Sequence, residues 1–307
     1  DTQQSGSLVR AEQMAELKPQ DLLWIYRPTV PQPVRAPVIW NGTIPVEGVR
    51  EVREDIAIAP GTTIALQPGA SLIFRGRVTA NGTKEQPIRF QPRDAAEGNF
   101  GTVALAGHGC DGSVFRHCEW RGGATATVGT HTFPGMLTIH DCRDIELRGC
   151  ILSGDARGAQ LLHLAHAEAE FQDVAWLRAG SGGLLSELSR LQLEQCRFLE
   201  SAGDCLRLVA SQAIAQDCDL AQAKGAAVRA EDASTMLLLR TKLRRSDQGA
   251  DVRDGSVAEL VNCELLACKE PVLAQQKHWR QHEGGRVQVR KSVFAENASL
   301  SVADQRS

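Results

Sequence analysis

The chain has 307 residues, of which 42% are hydrophobic and only 5% aromatic, and its formal net charge is −3 at pH 7. A charge so close to zero argues against the strongly basic proteins that attract nucleic acid or an anionic membrane surface. No segment approaches the roughly 18 consecutive apolar residues of a membrane-spanning helix. We therefore expect a folded protein with no nucleic-acid partner and no membrane span.

The first 37 residues differ in composition from the rest of the chain. Residues 7–17 have a weak helical periodicity, and residues 27–37 contain four prolines, which favour an extended backbone. We interpret residues 1–37 as a leader that caps the following domain or links to it. The sequence starts at Asp1 without a methionine, which fits either removal of an export signal or a longer parent sequence.

From residue 38 onward, short apolar segments alternate with turn dipeptides. The dipeptides are Pro60-Gly61, Pro68-Gly69 and Asn81-Gly82. Pro-Gly and Asn-Gly favour tight turns, and the segments between them are short enough to be strands. We predict a β-domain over residues 38–300 and a flexible tail over residues 301–307.

An eight-residue pattern recurs between residues 113 and 294, with apolar residues at its first, third and last positions and a small residue at its sixth. The sixth residues are Cys118, Cys150, Val174, Cys196, Cys218, Thr241, Cys263 and Ser292. Most of them follow one another at intervals of 22 to 24 residues, with longer steps of 32 and 29 at two insertions. Apolar residues at alternate positions indicate strands, and units this short must stack on one another to bury their apolar side chains.

A second strand-like segment, which usually opens with a glycine, precedes the pattern in several repeats. The opening glycines are Gly203, Gly225 and Gly249. The leucine-rich repeat, which has a similar length, requires a leucine framework that this chain lacks. We therefore predict an all-β, right-handed parallel β-helix of roughly ten coils, with coils stacked ~4.8 Å apart. The small residues would line an interior corner, with the cysteines as free thiols rather than disulfides.

The segments Pro68-Gly-Ala-Ser-Leu-Ile-Phe74, Gln86-Pro-Ile-Arg-Phe90 and Gly135-Met-Leu-Thr-Ile-His140 also resemble bacterial right-handed parallel β-helix proteins. Within that group they are most similar to the β-helix segments that accompany spore-coat-type (CotH-like) kinase domains in exported proteins. The resemblance covers residues 40–300 and implies a periplasmic or secreted location. Because the chain has no kinase motif, a kinase partner would lie on another chain or on an absent segment.

The two insertions, residues 122–134 and 269–285, interrupt the repeat. Insertions in a solenoid become loops on one face, which is often the binding face. The second insertion carries Trp279, which we interpret either as a sugar-stacking residue or as a packing residue.

Three arginines, Arg207, Arg229 and Arg253, each lie four residues after an opening glycine. This spacing predicts one outward-facing arginine on each of three successive coils, ~5 Å apart. Guanidinium groups in such a column would match the carboxylates of an acidic polysaccharide. The alternative is a solvated face on which the arginines pair with acidic residues of the same chain, namely Glu231, Asp251 and Asp254.

Two histidines and a glutamate, His140, His163 and Glu187, are the candidate catalytic residues. We expect them on adjacent coils, where a pair of imidazoles beside a carboxylate can transfer protons. In a regular strand their positions would face away from the arginine column, so the two sets would share a groove only if the register slips by one residue or a corner intervenes. The alternative is that these histidines are structural residues with satisfied hydrogen bonds.

No metal site or cofactor is predicted. The acidic corner motifs that often hold calcium in related β-helices have largely lost their acids here. His278, His282 and Glu283 lie close in sequence, but Gly284-Gly285 ends the run abruptly. We interpret this segment as a polar loop.

Two functional hypotheses remain open from the sequence, which does not decide whether the protein is an enzyme. In the first, the protein is exported and carbohydrate-associated, and it binds an acidic exopolysaccharide and modifies it in the manner of a lyase or an epimerase. In the second, it is a non-catalytic scaffold or accessory module that contacts another protein of a cell-surface or polysaccharide-secretion assembly. An open arginine groove beside the histidines favours the first hypothesis. A closed arginine face and an exposed apolar patch elsewhere favour the second.

Overall fold

The computed structural model describes residues 36–94, 96, 98–154, 159–278, 283–296 and 303–305. Within these residues the chain is a parallel β-solenoid of eleven coils with three strands in each coil. This confirms the predicted all-β solenoid and adds one coil to the ten expected. Nearly all of the predicted leader, and Trp279 and His282, lie outside the described residues, so the expectations placed on them stay predictions.

Each coil contributes one strand to each of three eleven-stranded parallel sheets. The first sheet contains Val38–Trp40, Ile56–Ile58, Val78–Asn81, Val114–Arg116, Ile145–Arg148, Glu168–Gln172, Arg190–Glu194, Gln212–Gln216, Thr235–Leu239, Val257–Val261 and Arg286–Arg290. The second sheet contains Thr43–Val46, Thr63–Leu66, Ile88–Pro92, Cys118–Arg121, Ile151–Ser153, Ala175–Ala179, Arg197–Ser201, Asp219–Ala223, Lys242–Arg244, Glu264–Leu266 and Val293–Ala295. The third sheet contains Val49–Val52, Ser71–Phe74, Val103–Ala106, Gly135–His140, Gln160–Ala165, Gly182–Glu187, Leu206–Val209, Ala226–Glu231, Gln248–Arg253, Glu270–Gln275 and Ala303–Gln305.

The recurring pattern spans the corner between the first and second sheets. In one coil, for example, Leu191 and Leu193 lie in the first sheet, Cys196 lies at the corner and Phe198 lies in the second sheet, all four buried. The residue before the small one adopts a positive φ in every copy, as at Gln195 with φ 55°. A left-handed residue turns the chain sharply enough to move from one sheet to the next within a single step.

All nine cysteines are buried free thiols. The thiols of Cys118, Cys150, Cys196, Cys218 and Cys263 follow the corner between the first and second sheets and act there as small apolar residues. Removal from water disfavours a thiolate, and burial accordingly raises the pKa of Cys205 to about 12.

The interior is one continuous apolar core with aromatic stacks along the second sheet. Phe90 stacks on Trp120 with ring centroids 5.0 Å apart, and Trp176 stacks on Phe198 at 4.3 Å. Each stack joins two successive coils, because the strands that carry the rings are hydrogen-bonded neighbours. These contacts hold the coils in register from inside.

Residues 122–134, the first predicted insertion, form an antiparallel hairpin with strands Ala126–Val128 and His131–Phe133. The hairpin packs against the outward face of the third sheet, where Phe133 joins Ile73, Ala104 and Ala106 in a small buried cluster. One short 3-10 turn, His108–Cys110, is also present. Among the described residues, no helix is long and apolar enough to cross a membrane.

Candidate functional site on the third sheet

The predicted histidines and arginines share the outward face of the third sheet. Strand register aligns His163 with Leu185, then with Arg207 and Arg229 on the following coils. His140 and Glu187 both align with Ala165 on the coil between them. The histidines and the arginines therefore share one face, as the sequence allowed only with a slip of register. The slip arises because the glycines from which the residues are counted occupy different positions in their coils.

The arginine column is also shorter than predicted. Arg207 pairs in register with Arg229, but the next residue in that column is Asp251. Arg253 lies two positions further along its strand. Gln248 aligns with Ala226, so Gly249 lies two positions further along its strand than Gly225 does along its own. Arg253, four residues after Gly249, is shifted by the same two positions.

His140, His163 and Glu187 form one hydrogen-bonded series, which we call the histidine chain. Nε2 of His140 lies 2.9 Å from Nδ1 of His163. Nε2 of His163 lies 2.9 Å from Oε2 of Glu187. The His163 side chain is only 4% exposed, whereas that of Glu187 is 45% exposed. The chain thus runs from a half-buried imidazole through a buried one to a carboxylate that reaches solvent.

Both imidazoles of the histidine chain are neutral at pH 7. Burial and, to a smaller extent, the neighbouring His163 together lower the pKa of His140 to about 4, against weaker opposing effects of Asp141 and Glu187. Burial likewise lowers the pKa of His163, although the hydrogen bond to Glu187 works in the opposite direction. The contact between His163 and Glu187 is therefore a hydrogen bond to a carboxylate rather than an ion pair at neutral pH.

Neutral imidazoles allow only one assignment of protons if Glu187 is ionised. His163 then donates from Nε2 to Glu187 and accepts at Nδ1 from Nε2 of His140. Nδ1 of His140 keeps a free lone pair on its ring. When a proton binds Nδ1 of His140, the proton on Nε2 of His140 can move to Nδ1 of His163, and the proton on Nε2 of His163 can move to Glu187. Both imidazoles then stay neutral, and the added charge is taken up by the carboxylate.

The hairpin lies over one end of the histidine chain. Phe133 stacks on His140 with ring centroids 5.5 Å apart and an angle of 20° between the rings. Phe133 is itself only 2% exposed. The aromatic ring therefore shields His140 from water, and this contributes to the burial that keeps the imidazole neutral.

The arginines belong to a network of buried and half-buried ion pairs, which we call the arginine network. Its members are Asp204, Arg207, Arg229, Glu231, Asp251 and Arg253. Arg229 donates to Asp204 at 2.9 Å, and Arg207 donates to Glu231 at 2.6 Å. Arg253 donates from Nε to Asp251 at 2.8 Å, with a second, shorter bond beside it.

Most of the arginine network is inaccessible to a ligand. The side chains of Arg253 and Asp251 are 6% and 0% exposed, and that of Arg229 is 17% exposed. Arg207, at 44%, is the accessible guanidinium. The pairing partners include two of the three acids named in the alternative interpretation, Glu231 and Asp251. Asp254 instead accepts hydrogen bonds from the backbone N–H groups of Lys277 and His278.

Several residues of this face were missed in the sequence. Asp204 carries no signal in the sequence, yet it is the direct partner of Arg229. Phe133 lies in the first insertion, for which only a loop is predicted, yet it stacks on His140. Asp232 and Asp254 are spaced by 22 residues, the period of the coil, and this spacing was the signal that could have identified them as neighbours.

No family model and no curated protein matches this chain. Among solved structures, the chain is similar to a pectate lyase from Paenibacillus sp. 0602, with 7% identity, a TM-score of 0.46, and coverage of 75% of this chain and 74% of that one. It is also similar to the periplasmic alginate epimerase AlgG, with 12% identity, a TM-score of 0.40 and coverage of 85% and 75%. An alginate lyase from Paenibacillus sp. str. FPU-7 has 10% identity, a TM-score of 0.37 and coverage of 80% and 93%.

Proposed function

We propose that the protein is an exported, carbohydrate-associated β-helix that binds an acidic polysaccharide along the outward face of its third sheet and transfers protons there through the histidine chain. The observation that carries the proposal is the pair of hydrogen bonds that joins His140, His163 and Glu187.

Glu187 and Arg207 are the groups of this face that a ligand meets first. Both side chains are close to half exposed, and they lie on successive coils of one sheet. Coils ~4.8 Å apart present polar groups at regular intervals, which suits a polymer with a repeating unit. Arg207 offers a guanidinium to a substrate carboxylate, while Glu187 offers a carboxylate to an acidic proton or a hydroxyl group.

Glu187 would act as the group that exchanges a proton with the substrate. The histidine chain behind it holds the carboxylate in place and can deliver to it a proton that arrives at Nδ1 of His140. Because both imidazoles are neutral at pH 7, Nδ1 of His140 can accept that proton without the chain first losing one.

A panel of acidic and neutral polysaccharides tests this proposal, with binding measured by calorimetry and product formation by NMR. We expect Glu187→Gln to abolish turnover with binding retained, and Arg207→Ala to weaken binding of the acidic polymers roughly tenfold, the loss of one charge-assisted contact. Glu194→Gln on the first sheet and Arg197→Ala on the second are matched controls at exposed positions. Turnover that survives Glu187→Gln, or binding that is equally weakened by the controls, would contradict the proposal.

The second hypothesis, a non-catalytic scaffold or accessory module, is favoured by a different observation. Most of the arginine network is closed, and the outward face of the first sheet carries half-buried aliphatic residues on three successive coils. They are Ile214, Leu237, Leu239, Val257 and Val261. Such a patch fits a protein partner in a surface or secretion assembly. A CotH-like kinase domain on another chain would be one such partner, and this association stays a prediction. No binding to any polysaccharide in the panel would favour this hypothesis.

A further inference from the structure

We propose that Asp232, Asp254 and His278 form a binding site for a divalent transition-metal ion, with Zn²⁺ as the best-matched ion. One ligand atom from each of the three side chains lies within 4.8 Å of the others. The site lies just beyond the end of the third sheet, next to the arginine network but outside it. It does not depend on polysaccharide binding.

The coil repeat brings the two carboxylates together. Asp232 follows the strand Ala226–Glu231, and Asp254 follows the neighbouring strand Gln248–Arg253. The two strands pair in register, and the backbone N–H of Ala233 donates to the carbonyl of Asp254 at 2.9 Å. Two aspartates at the same place on successive coils therefore present their carboxylates side by side.

His278 reaches the same place from the next coil. The strand Glu270–Gln275 ends just before it, and the chain then passes close to Asp254. Oδ1 of Asp254 accepts hydrogen bonds from the backbone N–H groups of Lys277 at 2.6 Å and His278 at 2.9 Å. These bonds hold the exposed imidazole of His278 beside the carboxylates.

The second oxygen of Asp254 provides an independent sign of a ligand. Asp254 is 0% exposed, and its Oδ2 is buried without a hydrogen-bond donor among the described residues. A buried carboxylate oxygen without a donor is strongly unfavourable unless a cation or an ordered water satisfies it. A metal ion bonded to Oδ2 supplies the missing partner, while Oδ1 stays bonded to the backbone.

The donor set decides which class of ion fits. Ca²⁺ and Mg²⁺ prefer six or more oxygen ligands, whereas an imidazole nitrogen with carboxylate oxygens is typical of Zn²⁺ and related transition metals. Three protein ligands leave a coordination position open to water or to a ligand group, as in many zinc sites. The dipositive charge also balances the two carboxylates. This assignment replaces the expectation of no metal site, because the sequence run around His278 gave no sign that its partners lay on two earlier coils.

Calorimetric titration of the full chain tests the site, after dialysis against a chelator and with a non-thiol reductant present. We expect one Zn²⁺ ion per chain and much weaker binding of Ca²⁺. Asp254→Asn and His278→Ala should each weaken Zn²⁺ binding by roughly tenfold or more, since each removes or neutralises a ligand. His278 is exposed, so His278→Ala reports on the metal even if Asp254→Asn impairs folding. His166→Ala is the matched control, because His166 is an exposed imidazole 3.8 Å from a carboxylate oxygen of Asp141.

Visible absorption of the Co²⁺-substituted protein identifies the ligands. The proposed site predicts d–d bands without an intense sulfur-to-metal charge-transfer band, and these bands should be lost in His278→Ala. A strong charge-transfer band would place the ion on the buried thiols and overturn the proposal. Equal Zn²⁺ affinity in the parent chain and both site variants, a stronger preference for Ca²⁺, or no stoichiometric binding would overturn it as well.

Discussion

On the outward face of the third sheet, the histidine chain and the arginine network both remove polar groups from water, but they differ in charge. The histidine chain buries neutral imidazoles and keeps its one carboxylate half exposed. The arginine network keeps its charges and buries them in opposite-sign pairs. A neutral buried chain with an accessible end can exchange protons, whereas the closed ion pairs of Arg229 and Arg253 can do little besides hold their coils together.

The same contrast separates the two functional hypotheses. Glu187 gives the histidine chain an open end, which supports chemistry at this face. The paired guanidinium groups of Arg229 and Arg253 remove two of the three predicted substrate contacts, which supports a structural role for that part of the sheet. The face is therefore divided along its length, with proton transfer and binding expected at the coils of Glu187 and Arg207.

Removal of a buried arginine should produce the largest effect. Arg253→Ala leaves Asp251, which is 0% exposed, without its main cationic partner, and we expect a loss of about 3–5 kcal/mol in the free energy of unfolding. Arg207→Ala removes a guanidinium that is 44% exposed, and we expect a loss of less than about 1 kcal/mol. Urea denaturation of both variants measures the difference. Equal losses in the two variants would mean that the network is not buried as described.

The histidine chain should make the free energy of unfolding depend on pH, with a change smaller than the one expected for Arg253→Ala. The pKa of His140 is about 4 in the folded protein against 6.5 for an ordinary histidine. Between those two values the unfolded chain binds a proton that the folded protein does not, so stability falls as the pH is lowered from about 6.5 to about 4 and then levels off. The contribution of His140 over this range is on the order of 3 kcal/mol.

His140→Gln isolates this contribution. The variant should lose less stability than the parent chain between pH 7 and pH 4.5, because its side chain does not titrate. His131→Gln, which replaces an exposed histidine of the hairpin, is the matched control and should behave as the parent chain does. Parallel pH profiles for the parent chain and His140→Gln would contradict the depressed pKa.

Local sequence patterns were enough to predict the solenoid. The corner cysteines recur with the period of the coil, and alternating apolar residues such as Leu191 and Leu193 identify the first-sheet strands. Relations between coils were harder to predict, because they depend on strand register. Gly249 opens its strand two positions later than Gly225 does, and this shift alone moved Arg253 out of the predicted column.

The contacts of the site residues were harder to predict than the strand register, because they depend on how side chains of different coils and of the hairpin meet in space. His140 and His163 are not in the same column, and their contact is diagonal between neighbouring coils. The hairpin residue that stacks on His140, Phe133, belongs to an insertion whose path over the sheet has no signature in the repeat. Asp232 and Asp254 were detectable in principle from their spacing, but the third ligand, His278, lies in an interrupted coil where the period no longer applies.

The most direct test of the histidine chain is a ¹⁵N NMR measurement of the tautomers and pKa values of His140 and His163, with Phe133→Ala for comparison. The account predicts that both rings are neutral at pH 7 with the proton on Nε2, and that the pKa of His140 is near 4. Removal of the Phe133 ring should expose His140 and raise its pKa toward 6.5. An ordinary pKa for His140 in the parent chain, or a proton on Nδ1 of His163, would contradict the hydrogen-bonded chain on which the proposed function rests.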